Sequence, residues 1–155
     1  MTNVALTLNV LFALLLIWAA VRDVQTYTIR NQLVLIVAVL AVPYWWATGL
    51  SLWPDIAWRI GIAALVFALL AIGFYIGMMG GGDVKLGAAC ALWFAPMGVF
   101  RFLIVMSLSG ALVTLAAVMH HRITQKAGKT KVPYGVAIAI GALVNLTQRF
   151  LNHFA

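Results

Sequence analysis

The sequence predicts an all-α protein, a polytopic transmembrane helical bundle of about six spans, and three observations lead to this prediction. Hydrophobic residues make up 65% of the 155 residues and charged residues only 8%, whereas a soluble domain carries roughly 25% charged residues. The mean hydropathy is +1.08. The apolar residues form runs close to the roughly 20 residues that one membrane-spanning helix needs. We therefore expect a single transmembrane domain over residues 1–155, with no room for a soluble domain.

Three predicted spans fill the first half of the chain. They cover about Val4–Val21, Leu33–Gly49 and Ile56–Met79. The first run has Arg22 after it and no positive charge before it, the reverse of a secretory signal peptide, so we expect it to be retained. Arg22 and Arg30 place the loop after this span in the cytoplasm, because cytoplasmic loops are enriched in basic residues.

The turn over Leu50–Asp55 is predicted to face the opposite side of the membrane. Tryptophans cluster around it at positions 45, 46, 53 and 58, and their amphipathic rings favour the membrane interface. The third span ends with Gly73, Gly77 and Gly81 at four-residue spacing. Such a stripe of small residues predicts close approach of a neighbouring helix.

The second half of the chain holds an apolar stretch too long for one crossing. Leu86–Met119 spans 34 residues, about 51 Å if helical, against a hydrocarbon core of about 30 Å. Pro96, Gly98 and Arg101 divide it. The predicted spans are about Val84–Met97, Phe102–Met119 and Val132–Phe150. Because the fourth is short, a re-entrant segment that leaves five crossings is an open alternative.

The basic residues predict one orientation of the whole bundle. The segment His120–Lys131 carries four Lys and Arg residues without an acid, which marks it as cytoplasmic and suits contact with anionic membrane lipid. Seven basic residues then lie inside, namely Arg22, Arg30, Lys85, Arg122, Lys126, Lys129 and Lys131. Three lie outside, namely Arg59, Arg101 and Arg149. Both termini would face outward.

Several functions do not fit this composition. The net charge of +7 is dispersed between apolar runs, so we expect no nucleic-acid partner. Cys90 is the only cysteine, and neither it nor the histidine pair His120 and His121 has metal-ligand spacing. The segment Gly80–Lys85 lacks the Gly-Lys-Ser/Thr ending of a phosphate loop. We expect no metal and no cofactor.

Carboxylate chemistry has three candidates, because the chain contains no glutamate and only Asp23, Asp55 and Asp83. Asp55 falls in the outward turn. Asp23 and Asp83 end the first and third spans on the same side, so they can meet. Two other interpretations remain open: Asp23 pairs with a neighbouring arginine at the interface, and Asp83 caps the fourth helix.

Two adjacent carboxylates can catalyse hydrolysis of a peptide bond. Repulsion and low dielectric separate their pKa values, so one activates water while the other polarises the scissile carbonyl. Gly80, Gly81 and Gly82 before Asp83 leave room for a substrate strand, or form a simple hinge. Lys85 either tunes Asp83 or only sets topology.

At these residues the sequence resembles the type IV prepilin peptidases, intramembrane aspartyl proteases, and especially their small form associated with Flp-type tight-adherence pili. Residues 23–31, Asp-Val-Gln-Thr-Tyr-Thr-Ile-Arg-Asn, resemble the family's aspartate followed after five residues by Ile-Pro-Asn, with Arg30 in place of proline. Gly82–Leu86 resembles its Gly-Asp-x-Lys-Leu element. Val132–Gly135 is similar to its Pro-Phe/Tyr-Gly element.

The resemblance implies an aspartic endopeptidase of the bacterial inner membrane. Its substrate would be a type IV pilin-like precursor, whose short basic leader is cleaved at the cytoplasmic face. Asp23 and Asp83 would be the catalytic pair, with Asn31, Lys85 and the three glycines of residues 80–82 supporting the substrate. Larger relatives methylate the new N-terminus with a cysteine-rich domain, and this sequence has no counterpart of that domain.

One rival from another class stays open. A non-enzymatic membrane protein, such as a small transporter subunit or an assembly scaffold, would use Asp23 and Asp83 as proton or cation ligands. Acidic residues near the middle of spans would favour a transporter, and the predicted spans contain none. The sequence does not specify an oligomeric state.

Overall fold

Six α-helices make up the computed structural model, which describes residues 2–123 and 132–154, with side chains described through residue 151 in the last helix. The helices are α1 Asn3–Thr26, α2 Asn31–Ala47, α3 Ala57–Tyr75, α4 Gly81–Ala91, α5 Pro96–Ile123 and α6 Tyr134–Phe154. A helical turn over Leu52–Ile56 precedes α3. No strand is found in these ranges, so the all-α prediction is confirmed.

Four helices are long and apolar enough to cross a membrane: α1, α3 with its preceding turn, α5 and α6. Helix α2, with 17 residues, is shorter, about 26 Å long. Helix α4 has 11 residues and is about 17 Å long, too short to cross a hydrocarbon core of about 30 Å. The chain is a membrane protein, in which α2 and α4 are shorter than the four long helices.

Helix α4 lies in the middle of the bundle, where it packs against α2, α3 and α6. Helix α1 packs against α2 and α6, and α5 packs mainly against α6. Most residues of α4 are buried. The long helices instead expose apolar side chains such as Leu14, Leu65 and Leu108. This pattern is expected when lipid replaces water around the bundle.

The corner between α4 and α5 is buried in protein, and side chains bond its backbone. Trp93 stacks on Phe12 with ring centroids 4.2 Å apart, and its indole N–H donates to the Val37 carbonyl at 2.9 Å. The Trp45 indole N–H donates to the Leu92 carbonyl at 2.9 Å. Irregular backbone at membrane depth requires partners of this kind, because lipid offers no hydrogen bonds.

The boundary between the fourth and fifth predicted spans was placed too late. Helix α4 ends at Ala91 and α5 begins at Pro96, so Gly98 and Arg101 lie inside α5 and divide nothing. Proline fits the first position of a helix because its missing N–H has no helical partner there. The sixth helix likewise begins directly after Pro133.

The predicted glycine stripe on the third span was wrong. Helix α3 ends at Tyr75, and Gly77 lies in the following turn with φ of +75°, a left-handed conformation that favours glycine. Gly81 begins α4. The three glycines therefore lie in three different local structures.

The other predictions about boundary residues were partly correct. Trp46, Trp53 and Trp58 are exposed as expected, but Trp45 is buried in the core. His120 and Arg122 belong to the last turn of α5 rather than to a loop. The lysines at positions 126, 129 and 131 lie outside the described residues.

Candidate active site

Asp23 lies in the last turn of α1, buried, with its carboxylate directed at the start of α6. Its Oδ2 accepts a hydrogen bond from the Gly135 backbone N–H at 2.6 Å. The helix ends just beyond, where Tyr27 adopts a left-handed φ of 52° and its N–H donates to the Asp23 carbonyl. A carboxylate at a helix N-terminus is stabilised by the free N–H groups and by the helix dipole.

Asp83 lies in the first turn of α4 and is also buried. Its Oδ2 accepts a hydrogen bond from the Gly80 backbone N–H at 3.0 Å, while its Oδ1 is buried without a hydrogen-bond partner among the described residues. Gly80 is the capping residue of the helix and Asp83 the third residue inside it. The interpretation of Asp83 as the N-cap was therefore wrong, although its carboxylate does bond the capping residue.

Ile29, in the loop between α1 and α2, links the surroundings of the two aspartates. A Cβ added to Gly82 would lie 2.9 Å from the Ile29 carbonyl oxygen. One added to Gly135 would lie 2.8 Å from both Ile29 Cδ1 and Asp23 Oδ2. Both contacts are closer than real Cβ atoms make. At Gly82 the neighbour is backbone, so only glycine permits α4 to approach the loop; at Gly135 the side chains of Asp23 and Ile29 would have to move.

The two carboxyl groups are close enough to interact electrostatically. Burial, and next the negative charge of Asp23, raise the pKa of Asp83 to about 7, against a smaller lowering by its hydrogen bond from Gly80. A carboxyl that keeps its proton near neutral pH beside a second carboxyl held by N–H donors is an arrangement suited to general acid and base chemistry.

Lys85 and Asn31 meet across the site. The Lys85 ammonium donates to Asn31 Oδ1 at 3.1 Å, although the two residues are 54 positions apart. This hydrogen bond joins the first residue of α2 to the fifth residue of α4. The two segments singled out in the sequence therefore come together at one end of the bundle.

The glycines at positions 80–82 form the start of α4. Gly80 is extended, and Gly81 and Gly82 form the first turn of α4. A Cβ on Gly81 would meet Phe74 at an ordinary 3.5 Å. The tightest approach is at Gly82, where the Ile29 backbone leaves no space for a side chain.

Asp55 is remote from this cluster. It lies before α3, exposed, and accepts hydrogen bonds from the Ser51 backbone N–H at 3.1 Å and hydroxyl at 2.8 Å. Within the described ranges no group of His, Cys, Asp and Glu side chains is arranged to hold a metal.

Two residues at the site were missing from the sequence-based candidates, Ile29 and Gly135. Gly135 belongs to the Pro-Tyr-Gly segment noted above, which was the available signal. Ile29 had none, because its role depends on two glycines 53 and 106 residues further along the chain.

A groove of about 650 Å³ lies between α3, α5 and α6. Its lining is almost entirely apolar and includes Met79 and Tyr134. Met79 directly precedes the residue that bonds Asp83, and Tyr134 precedes the residue that bonds Asp23. Neither aspartate lines the groove, but residues next in sequence to their hydrogen-bond partners do.

Comparison with known proteins gave one match. The model of a family described as the type IV leader peptidase family matches residues 10–115. This range contains both aspartates, Asn31 and Lys85, and ends before Gly135. No curated protein and no solved structure matches the chain.

Proposed function

The chain belongs to the type IV leader peptidase family, and on that premise we propose that Asp23 and Asp83 are its catalytic pair, which cleaves the leader of Flp-type pilin precursors. Family membership makes the protein a peptidase. Four of its helices are long and apolar enough to span a membrane, so it is a membrane peptidase. The proposal adds the residues, the kind of pilin, and the cytoplasmic face of the bacterial inner membrane as the place of cleavage. It treats residues 1–155 as one peptidase domain.

The observation that carries the proposal is the unequal environment of two buried, interacting carboxyl groups. Asp23 is buried as well, but it receives a backbone N–H from the start of α6, and this hydrogen bond favours its charged form against the effect of burial. Asp83 has one buried oxygen without a partner among the described residues and a pKa raised to about 7. We therefore assign the base to Asp23 and the acid to Asp83.

Hydrolysis then proceeds without a covalent intermediate. Asp23 accepts a proton from water while the water oxygen bonds to the scissile carbonyl carbon, and Asp83 gives its proton to the carbonyl oxygen. The carbon–nitrogen bond next breaks, the proton on Asp23 passes to the leaving amine, and Asp83 recovers its own proton. The pair ends in its starting state.

The neighbouring residues have supporting roles in this scheme. The hydrogen bond from Lys85 to Asn31 fixes the α1–α2 loop against α4 and so fixes the separation of the two aspartates. Gly82 lets the Ile29 backbone approach the first turn of α4, so the glycines before Asp83 support the site by holding the α1–α2 loop close to this aspartate.

The apolar groove suits the part of the substrate beyond the cleaved bond. A pilin precursor has an apolar helix directly after its leader, and burial of that helix would offset the loss of its contacts with lipid. The groove lies between α3 and α5, which contact each other little. The helix would then extend along the membrane while its leader reaches the carboxyl pair.

Co-expression with an Flp-type pilin precursor tests the proposal. Asp23→Asn and Asp83→Asn should each lower the cleavage rate by at least about 100-fold, because asparagine keeps the size but can act neither as a base nor as an acid. Asp55→Asn is the matched control and should cleave like the parent. Protein level in the membrane should be equal for all four.

Two results would count against this assignment. Full activity of either the Asp23 or the Asp83 variant would remove that residue from the pair. Equal loss in all three variants would indicate a folding defect.

A further inference from the structure

A second cluster of charged side chains lies at the end of the bundle opposite to the carboxyl pair. Arg149 of α6 donates to Asn9 of α1 at 2.9 Å. Asn9 precedes Asp23 by 14 residues, and Arg149 follows Gly135 by 14 residues. At 1.5 Å per residue both helices place this cluster about 21 Å from the carboxyl pair.

Arg149 is held on several sides. Besides Asn9 it donates to the Trp93 carbonyl at 2.7 Å, and its guanidinium lies 5.0 Å from the centroid of the Tyr44 ring. Its contacts are a carbonyl, an amide oxygen and aromatic rings, all uncharged. The positive charge of Arg149 therefore has no ion pair in these contacts.

Arg59, in the first turn of α3, is a second arginine at this end of the bundle. Its Nη1 is buried and has no hydrogen-bond partner among the described residues. The charge of Arg149 acts on Arg59, as does that of Asp55. The Asp55 carboxylate bonds Ser51 through Oδ2 and lies outside the protein interior. Two guanidinium groups thus share one acid, whose carboxylate is exposed to solvent.

A buried guanidinium nitrogen without an acceptor, such as Arg59 Nη1, is costly because arginine keeps its charge at any ordinary pH. We propose that Arg59 and Arg149 bind a phosphate group at this end of the bundle. Guanidinium is well suited to this ligand, since its planar donors match phosphate oxygens in pairs. A phosphate would accept from Arg59 Nη1 and reduce the repulsion between the two arginines.

The surrounding aromatic residues favour a phospholipid head group as the source. Trp46, Trp53 and Trp58 are 74%, 79% and 61% exposed, and all lie close in sequence to Tyr44 or Arg59. Exposed tryptophans gather at the depth of lipid head groups. The free phosphate ion is the other source with the same chemistry.

Thermal unfolding of the full chain in a neutral detergent distinguishes these sources. Phosphatidylglycerol at about 100 times its Kd should raise Tm by roughly 5 °C. A diacylglycerol with the same acyl chains lacks the phosphate and should not. Inorganic phosphate is the third arm, and a shift with this ion that depends on Arg59 would support the site and identify the free ion as its ligand.

Substitutions test whether the rise in Tm depends on Arg59. Arg59→Gln should abolish the shift, and Arg59→Lys, which keeps the charge, should retain part of it. Arg101→Gln is the matched control, because Arg101 is exposed and donates to Gln148 instead, and its shift should equal that of the parent. An equal shift in Arg59→Gln and parent, or an equal effect of diacylglycerol and phosphatidylglycerol, would overturn the proposal.

Discussion

Asp23 and Asp83 are the same residue type in different surroundings, and the surroundings decide what each can do. Asp23 accepts a hydrogen bond from the Gly135 N–H at the start of a helix. Asp83 bonds one N–H and leaves its second oxygen buried without a partner among the described residues. Such a difference separates the pKa values of paired carboxyls. The difference therefore predicts how stability and the cleavage rate depend on pH.

The first prediction is that stability falls between about pH 4 and pH 7 because of Asp83. Its pKa rises from 3.8 in the unfolded chain to about 7 in the folded protein, so the folded state binds the extra proton in this interval. The contribution of Asp83 to stability is therefore greatest below pH 4, declines as pH rises to 7, and is constant above pH 7. Cleavage should decline above pH 7 as well, when the acid loses its proton.

Thermal unfolding across pH 4 to 8 checks this prediction. Asp83→Asn should remove most of the decline in Tm, whereas the exposed Asp55→Asn should keep it. An identical decline in the parent and in Asp83→Asn would contradict the raised pKa.

Substitution of Lys85 distinguishes a role in positioning the site from a role in membrane topology alone. Its ammonium donates to Asn31 across the site, and arginine keeps the charge but places a larger planar group there. We expect Lys85→Arg to slow cleavage about 10-fold or more with normal insertion. If the hydrogen bond carries the effect, Asn31→Ala should slow cleavage similarly, and the double variant should be little worse than either single one.

The pH profile of cleavage is the second readout. Displacement of α4 should shift the profile of Lys85→Arg, because the distance between the carboxyl groups sets their pKa values. A rate and profile equal to the parent would leave Lys85 with a role in topology alone.

At the scale of elements, the glycine at the start of α6 determines how closely that helix approaches Asp23. A Cβ at position 135 would lie 2.8 Å from Asp23 Oδ2 and from Ile29 Cδ1, so Gly135→Ala should displace α6 and break the hydrogen bond. We expect cleavage to fall about 100-fold, since the base loses its orientation. The two measurements are the amount of membrane-inserted protein and its cleavage rate.

Gly61→Ala is the matched control, because a Cβ at this position in α3 meets nothing within 4 Å. It should leave cleavage unchanged and add roughly 0.5–1 kcal/mol of stability through better helix propensity. Equal activity of Gly135→Ala and Gly61→Ala would mean that α6 does not orient Asp23.

The helices themselves were predictable from the sequence, and the errors have physical causes. Apolar runs indicated all six helices, because a run of sufficient length has few other structures available in lipid. The corner over residues 92–95 was missed since its partners, Trp45 among them, are distant in sequence. Trp45 was assigned to the interface by type, but here its indole N–H finds a carbonyl inside the protein.

The site was predictable in part. Only three aspartates exist, and opposite chain directions in successive spans bring Asp23 and Asp83 to one end. The contacts of Ile29 with Gly82 and Gly135 were not predictable, because they depend on the angles at which three helices meet. The Arg59–Arg149 cluster was missed as well, since the sequence-based analysis treated both arginines only as markers of orientation.

At the scale of the whole molecule, two chemically different ends are joined by an apolar body. One end holds the carboxyl pair, and the other holds two arginines whose charges no ion pair offsets in the described contacts. The excess of predicted inside charges favours the carboxyl end as the cytoplasmic one. The structure fixes which residues share an end, and the charges predict which side each end faces.

The final prediction concerns that orientation. In full chains that carry one added cysteine, Gln25→Cys and Thr130→Cys should react only with reagents that reach the cytoplasm, and Ser51→Cys only with impermeant reagents added outside. Cys90 is buried, so it should contribute little background.

Gln25 follows Asp23 by two residues and Ser51 precedes Arg59, so these positions report on the two ends directly. Thr130 lies outside the described residues and tests the basic segment. Labelling of Gln25→Cys and Thr130→Cys from opposite sides would contradict a shared face, and labelling of both from outside would place cleavage on the wrong side for a cytoplasmic leader.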